Sequence, residues 1–177
     1  MLVTRVPEPQ LSAWRALLGA HAAVVTRVEH ALAAAGLPPL AWYDVLWAVR
    51  ESPQRRARLG ALAADLTISR GGMTKLVDRL EQAGLLRREP TPDDRRGSYA
   101  VLTAAGETTL KRMWPTYSRV LSQVVGPLRA AEANTLRHLL REIEARGTAP
   151  PTQAPPPGAA TRRGSPRSRP PRGQTRA

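Results

Sequence analysis

The stretch from Leu59 to Thr103 leaves few folding options. Leu59-Gly60-Ala61-Leu62-Ala63-Ala64-Asp65-Leu66 is followed by a two-residue turn, Thr67-Ile68, and then by Ser69-Arg70-Gly71-Gly72-Met73-Thr74-Lys75-Leu76-Val77-Asp78-Arg79-Leu80. In the second segment Met73, Leu76, Val77 and Leu80 recur at i, i+3, i+4 and i+7, the spacing of a helix with one buried stripe. Ser69 is placed to cap that helix and Gly84 to end it. Leu85–Glu89 and Ser98–Thr103 read as strands on either side of the charged loop Pro90-Thr91-Pro92-Asp93-Asp94-Arg95-Arg96-Gly97. Helix, tight turn, helix, strand, loop, strand is the order of a winged helix-turn-helix: mostly α, with a small β-hairpin wing.

The flanks are helical by pattern. Residues 11–35 space Leu11, Trp14, Leu18, His21, Val25, Val28 and Leu32 three or four apart, and Gly36 with Pro38-Pro39 stops the run. Residues 41–51 form a second helix, and Pro53 with Gln54-Arg55-Arg56 marks a loop. Residues 104–125 are helical, with a kink expected at Pro115. Gly126-Pro127 breaks that helix, and a last one covers about 130–146. The long outer helices carry more apolar face than one neighbour covers. The chain thus divides into a flexible N-terminus (1–10), a body (11–146) and a tail (147–177). Within the body, 41–103 is the winged unit, and 11–35 and 104–146 are dimerisation helices.

Charge bears on the partner. The formal net charge is +13, with 25 Arg against 2 Lys. Six of the Arg and no acid lie in residues 147–177, a segment with eight Pro and no Leu, Ile, Val, Met or aromatic residue. Such a tail cannot bury enough apolar surface to order itself, so disorder is expected there. A basic body with a basic tail favours a polyanion. The absence of Cys excludes disulfides, thiolate metal sites and cysteine redox sensing. No apolar run approaches the ~18 residues that span a bilayer, and Met1–Pro7 has no signal-peptide core, so a cytoplasmic location and no membrane partner are expected. The three His are scattered, and no HExxH, GxSxG, Walker or GxGxxG pattern occurs, so neither an enzyme nor a cofactor is expected.

Leu62-Ala63, then Ser69 through Glu81, Gly84-Leu85, Asp93-Asp94-Arg95-Arg96 and Leu102-Thr103-Ala104-Ala105-Gly106 together resemble the MarR family (multiple antibiotic resistance regulators) over about residues 11–146. The resemblance implies an obligate homodimer whose fourth helix reads the major groove of double-stranded DNA and whose wing enters the minor groove. On that helix Ser69, Arg70, Thr74, Lys75 and Arg79 are the candidate DNA-binding residues. Arg and Lys pair with guanine O6 and N7, and Thr meets a base edge or a thymine methyl. At the wing the resemblance puts Arg96 in the minor groove and gives Asp94 the task of holding the loop, with Arg95 on phosphate. One departure is Gly71, where the family often has Ser.

The resemblance also implies a small-molecule site between the dimer helices and the winged unit. Its candidate lining is Trp14, His21, Trp42, Tyr43, Trp47, Trp114 and Tyr117, and the Arg-rich surround suggests a small aromatic anion. The favoured reading is a homodimeric, sequence-specific DNA-binding transcriptional repressor released by that ligand. The second is a ligand-insensitive architectural protein that uses the basic tail to bind nucleic acid without sequence preference.

Overall fold

The computed structural model describes residues 5–91 and 94–149, with the backbone alone at residues 94–96. The first element, α1 (Glu8–Ala34), is followed by α2 (Leu40–Glu51), a single 3-10 turn at Pro53–Arg55, β1 (Arg56–Arg58), α3 (Leu59–Asp65) and α4 (Arg70–Gln82). Then come β2 (Leu86–Thr91), β3 (Asp94–Leu102), α5 (Ala104–Val124) and α6 (Ala130–Thr148). No helix among the described residues is long and apolar enough to cross a membrane. Among the described residues, those up to Ala133 form one compact unit and those from Asn134 to Ala149 a second.

Several expected boundaries shift. Helix α1 begins at Glu8, so residues 8–10 are helical rather than part of a flexible N-terminus, with Pro7 in the extended position that precedes a helix. Helix α6 continues through Gly147 and Thr148, past the expected start of the tail. The expected disorder of residues 150–177 lies outside the described residues. Helix α5 runs unbroken through Pro115. The expected loop at 54–56 ends one residue early. Arg56 opens a third strand, which pairs antiparallel with β3 (Ala57 opposite Ala100), giving the sheet order β1-β3-β2. The wing strands also reach further than expected, to Thr91 and back to Asp94, and pair with a shift between Pro90 and Thr91.

The core follows the helical stripes. Met73, Leu76, Val77 and Leu80 of α4 are buried with Leu62 of α3, Val45, Leu46 and Val49 of α2, and Leu86 and Ala100 of the sheet. Helix α5 adds Leu110, Met113 and Val120, and α1 adds Val28 and Leu32. The N-terminal half of α1 stays outside this core, leaving Trp14 and Leu18 about half exposed.

Two caps fix the winged unit. The Gly72 N–H donates to Ser69 Oγ at 3.1 Å, the N-cap expected for α4. The Thr103 hydroxyl accepts from the Gly106 N–H at 3.0 Å and lies 2.8 Å from the Gly84 carbonyl, joining the end of α4 to the start of α5. Gly106 is required at this junction, because a Cβ there would stand 2.3 Å from the Leu85 carbonyl oxygen.

Candidate functional site

Helix α4 presents its polar side to solvent. Arg70, Thr74, Lys75 and Arg79 are exposed, as the stripe of buried residues on the opposite side requires. The Thr74 hydroxyl donates to the Arg70 carbonyl at 3.0 Å. A Cβ at Gly71 would meet nothing within 4 Å, so this exposed turn carries open space where a side chain would project.

The N-terminal end of α4 forms one wall of a cleft of about 390 Å³. Gly97 and Ser98 at the base of the wing line it with Arg70 and Thr74, and Arg58, Leu59, Gly60 and Ala61 complete it from β1 and α3. Two of its lining residues, Arg58 and Arg70, carry guanidinium groups. The side chains of Asp94, Arg95 and Arg96 lie outside the described residues; their backbone belongs to β3.

Two arginines missing from the sequence-based set belong to this region. Arg88, on β2, donates to Asp78 Oδ1 at 2.5 Å and to the Thr74 carbonyl at 3.4 Å, while its own N–H donates to Glu81 Oε1 at 3.0 Å. It anchors the solvent-side backbone of α4 to the wing. Arg58, on β1, donates from Nε to the Tyr99 hydroxyl at 3.3 Å, and Arg56 lies over the same ring at 4.9 Å. The signal for β1 was slight: an Arg-Ala-Arg alternation whose middle residue is buried.

The aromatic candidates divide. Tyr43 and Trp47 on α2 and Trp114 and Tyr117 on α5 meet in a ring of contacts, with centroid separations between 4.7 and 6.3 Å. Spacings of four on α2 and three on α5 place each pair on one helix face, and α2 packs on α5. With Asp44, Ala48 and Leu66 these four line a cavity of about 330 Å³. Trp14 and His21 do not line it; both are exposed on α1. Trp42 does not line it either and packs against the core. The charged side chain in the lining is a carboxylate, Asp44, and not one of the surrounding arginines. Arg50 lies 5.0 Å over the Trp47 ring, outside the lining, and pairs with Glu107 at 3.8 Å.

Burial acts on the titratable members of this cluster. Desolvation, aided by Tyr117, pushes the Tyr43 phenol up to about 12, and burial raises Tyr117 as well. Asp44 is raised too, first by burial and then by the nearby Glu29 carboxylate. Glu29 is held in place by the Leu40 N–H, which donates to its Oε1 at 3.1 Å.

The MarR family model matches residues 35–97, the span from the end of α1 into β3 of the wing. The chain is 31% identical over 90 residues to the HTH-type transcriptional regulator YkoM of Bacillus subtilis, an alignment covering 51% of this chain and 56% of that protein. The chain spans about half the length of the curated relatives it matches. Among solved structures, AbsC from Streptomyces coelicolor is 28% identical with a TM-score of 0.71, covering 82% of this chain and 99% of that one. Sco3205 from Streptomyces coelicolor, solved in complex with DNA, is 30% identical with a TM-score of 0.75, covering 85% of this chain and 94% of that one. A fold shared over nearly the full length of such a neighbour, with the family's own segment at its centre, places this chain in the MarR family of transcriptional regulators.

Proposed function

We propose that the protein is a homodimeric repressor that binds a defined site on double-stranded DNA and is released when a small molecule occupies the aromatic cavity. One observation carries the DNA reading. A Ser69-capped helix exposes Arg70, Thr74 and Lys75, and Arg70 and Thr74 form one wall of an Arg-lined cleft at the base of a wing. A helix of this kind inserts its N-terminal residues into the major groove, where Arg and Lys discriminate guanine and Thr contacts a base edge. Arg79 follows one turn later, and Ser69 keeps the helix start ordered. Arg96 takes the minor groove and Arg95 a phosphate, with Asp94 bracing the loop.

Dimerisation is supported by apolar residues left uncovered. Trp14 and Leu18 on α1, and Leu136, Leu139, Leu140 and Ile143 on α6, are each more than a third exposed. A two-fold dimer would pair two recognition helices with two half-sites about one DNA turn apart. Ligand release is supported by the position of the cavity, which joins α2, the end of α3 and α5. A molecule that fits one arrangement of these helices better than another shifts the population between them.

The experiment is selection of bound sequences from random duplex DNA, followed by footprinting. A palindromic site protected at defined positions is expected. Lys75→Ala should change preference at inner major-groove positions by about 1–3 kcal/mol, and Arg96→Ala should weaken sites with A·T-rich flanks most. Binding that depends only on duplex length and charge would instead favour an architectural protein.

A further inference from the structure

The cavity between α2 and α5 pairs four aromatic rings with one carboxylate and no cation. Tyr43, Trp47, Trp114 and Tyr117 surround it, and among the described residues Asp44 is the only charged one in its lining. Asp44 is half-buried and makes no ion pair or hydrogen bond with a described residue. The second carboxylate in its field, Glu29, adds negative potential, whereas Arg50, whose charge reaches Tyr43, lies over the Trp47 ring outside the lining and pairs with Glu107 at 3.8 Å. A desolvated, unpaired carboxylate is an unfavourable neighbour for an anion and a favourable one for a cation. Aromatic faces carry the negative lobe of the ring quadrupole, and several of them together form the usual receptor for an ammonium group.

We propose that this cavity takes an organic cation: a protonated or quaternary amine attached to an aromatic body, with its charge against Asp44 and its body among Trp47, Trp114 and Tyr117. This rests on the ligand-release reading above and reverses the charge that the Arg-rich sequence around these aromatics suggests. The protein is basic as a whole, so attraction at long range runs against such a ligand. Selection therefore depends on the local carboxylate and on the rings. A cavity of about 330 Å³ has room for a single-ring ligand with a small ammonium group.

The test uses the full chain, first without DNA. Benzyltrimethylammonium, its neutral carbon isostere neopentylbenzene, and salicylate are titrated by calorimetry and by quenching of Trp fluorescence. The cation is expected to bind and quench, the isostere to bind more weakly, and salicylate not to compete. Asp44→Asn keeps the shape and removes the charge, and should weaken the cation by about tenfold or more while leaving the isostere unchanged. Trp114→Leu, at a half-exposed position, should weaken both and offers a second variant should Asp44→Asn fold poorly. Salicylate binding more tightly than the cation, equal affinity in Asp44→Asn, or no binding of the cation at millimolar concentration would each overturn the proposal. Release from a selected DNA site is then measured separately. A cation that binds through Asp44 without releasing DNA would keep this inference and defeat the ligand-release reading.

Discussion

At the scale of single residues, the position of Asp44 works against its charged form. Burial and Glu29 raise its folded pKa above that of an unfolded aspartate, so the folded state holds the proton more tightly than the unfolded chain does. Its contribution is therefore neutral below the unfolded value and becomes destabilising as pH rises through the folded one. Asp44→Asn should raise the melting temperature at pH 7. The gain should shrink and vanish as the pH falls to about 4, near the unfolded carboxylate value. Thermal melts of both proteins across that range check the sign; a gain that persisted at acid pH would point to packing rather than charge. Asp44 also marks what the sequence hides. The four rings were visible as Trp and Tyr at helical spacings on two segments. The carboxylate was one acid within an apolar helix, and it gains meaning only when Trp114 and Tyr117, some seventy residues away, are packed beside it.

At the scale of elements, three helices end in one way. Helix α1 closes through Gly36, α3 through Thr67 and α4 through Gly84, each residue in the left-handed region at φ 63°, 53° and 70°. In each the next N–H reaches back five residues: Leu37 to Leu32, Ile68 to Ala63 and Leu85 to Leu80, at 2.9–3.0 Å. This is the Schellman closure, which favours glycine because a side chain strains the backbone there by about 1–2 kcal/mol. Thr67 bears that strain inside the helix-turn-helix itself. Thr67→Gly should stabilise the fold by about 0.5–1 kcal/mol, the relief being partly offset by the freer unfolded chain. Gly84→Ala should destabilise it by about 1 kcal/mol although its Cβ would stand in open space. Denaturant titrations of the two variants decide, and equal effects of one sign would refute the shared geometry. Helix α4 was legible because its stripe, cap and stop are local in sequence. Strand β1 was not, because three residues with two charges carry little pattern and owe their strand to pairing with β3.

At the scale of the molecule, charge and uncovered apolar surface point to two partners at once. Trp14 and Leu18 lie about half exposed on α1, which is poor design for a monomer and ordinary for a surface that meets a second copy. Leu18→Glu would place a charge in that surface and should yield monomers by light scattering at micromolar concentration, with the far-UV spectrum of the winged unit retained. The same variant bears on DNA. A dimer engages two half-sites, and the cations each copy brings into the grooves and against the backbone, Arg58, Arg70, Lys75 and the wing arginines, would together displace the counterions of roughly 6–10 phosphates. Its affinity should then fall about 10³–10⁵-fold between 50 and 200 mM salt. A monomer reaches only one half-site, so Leu18→Glu should about halve the slope of log affinity against log salt as well as weaken binding. Deleting residues 150–177 should shift the non-specific slope without altering the selected sequence, because it removes six Arg and none of the described body. A nearly flat salt response in the intact protein, or an unchanged slope in a variant proven monomeric, would break the link between the dimer and its DNA.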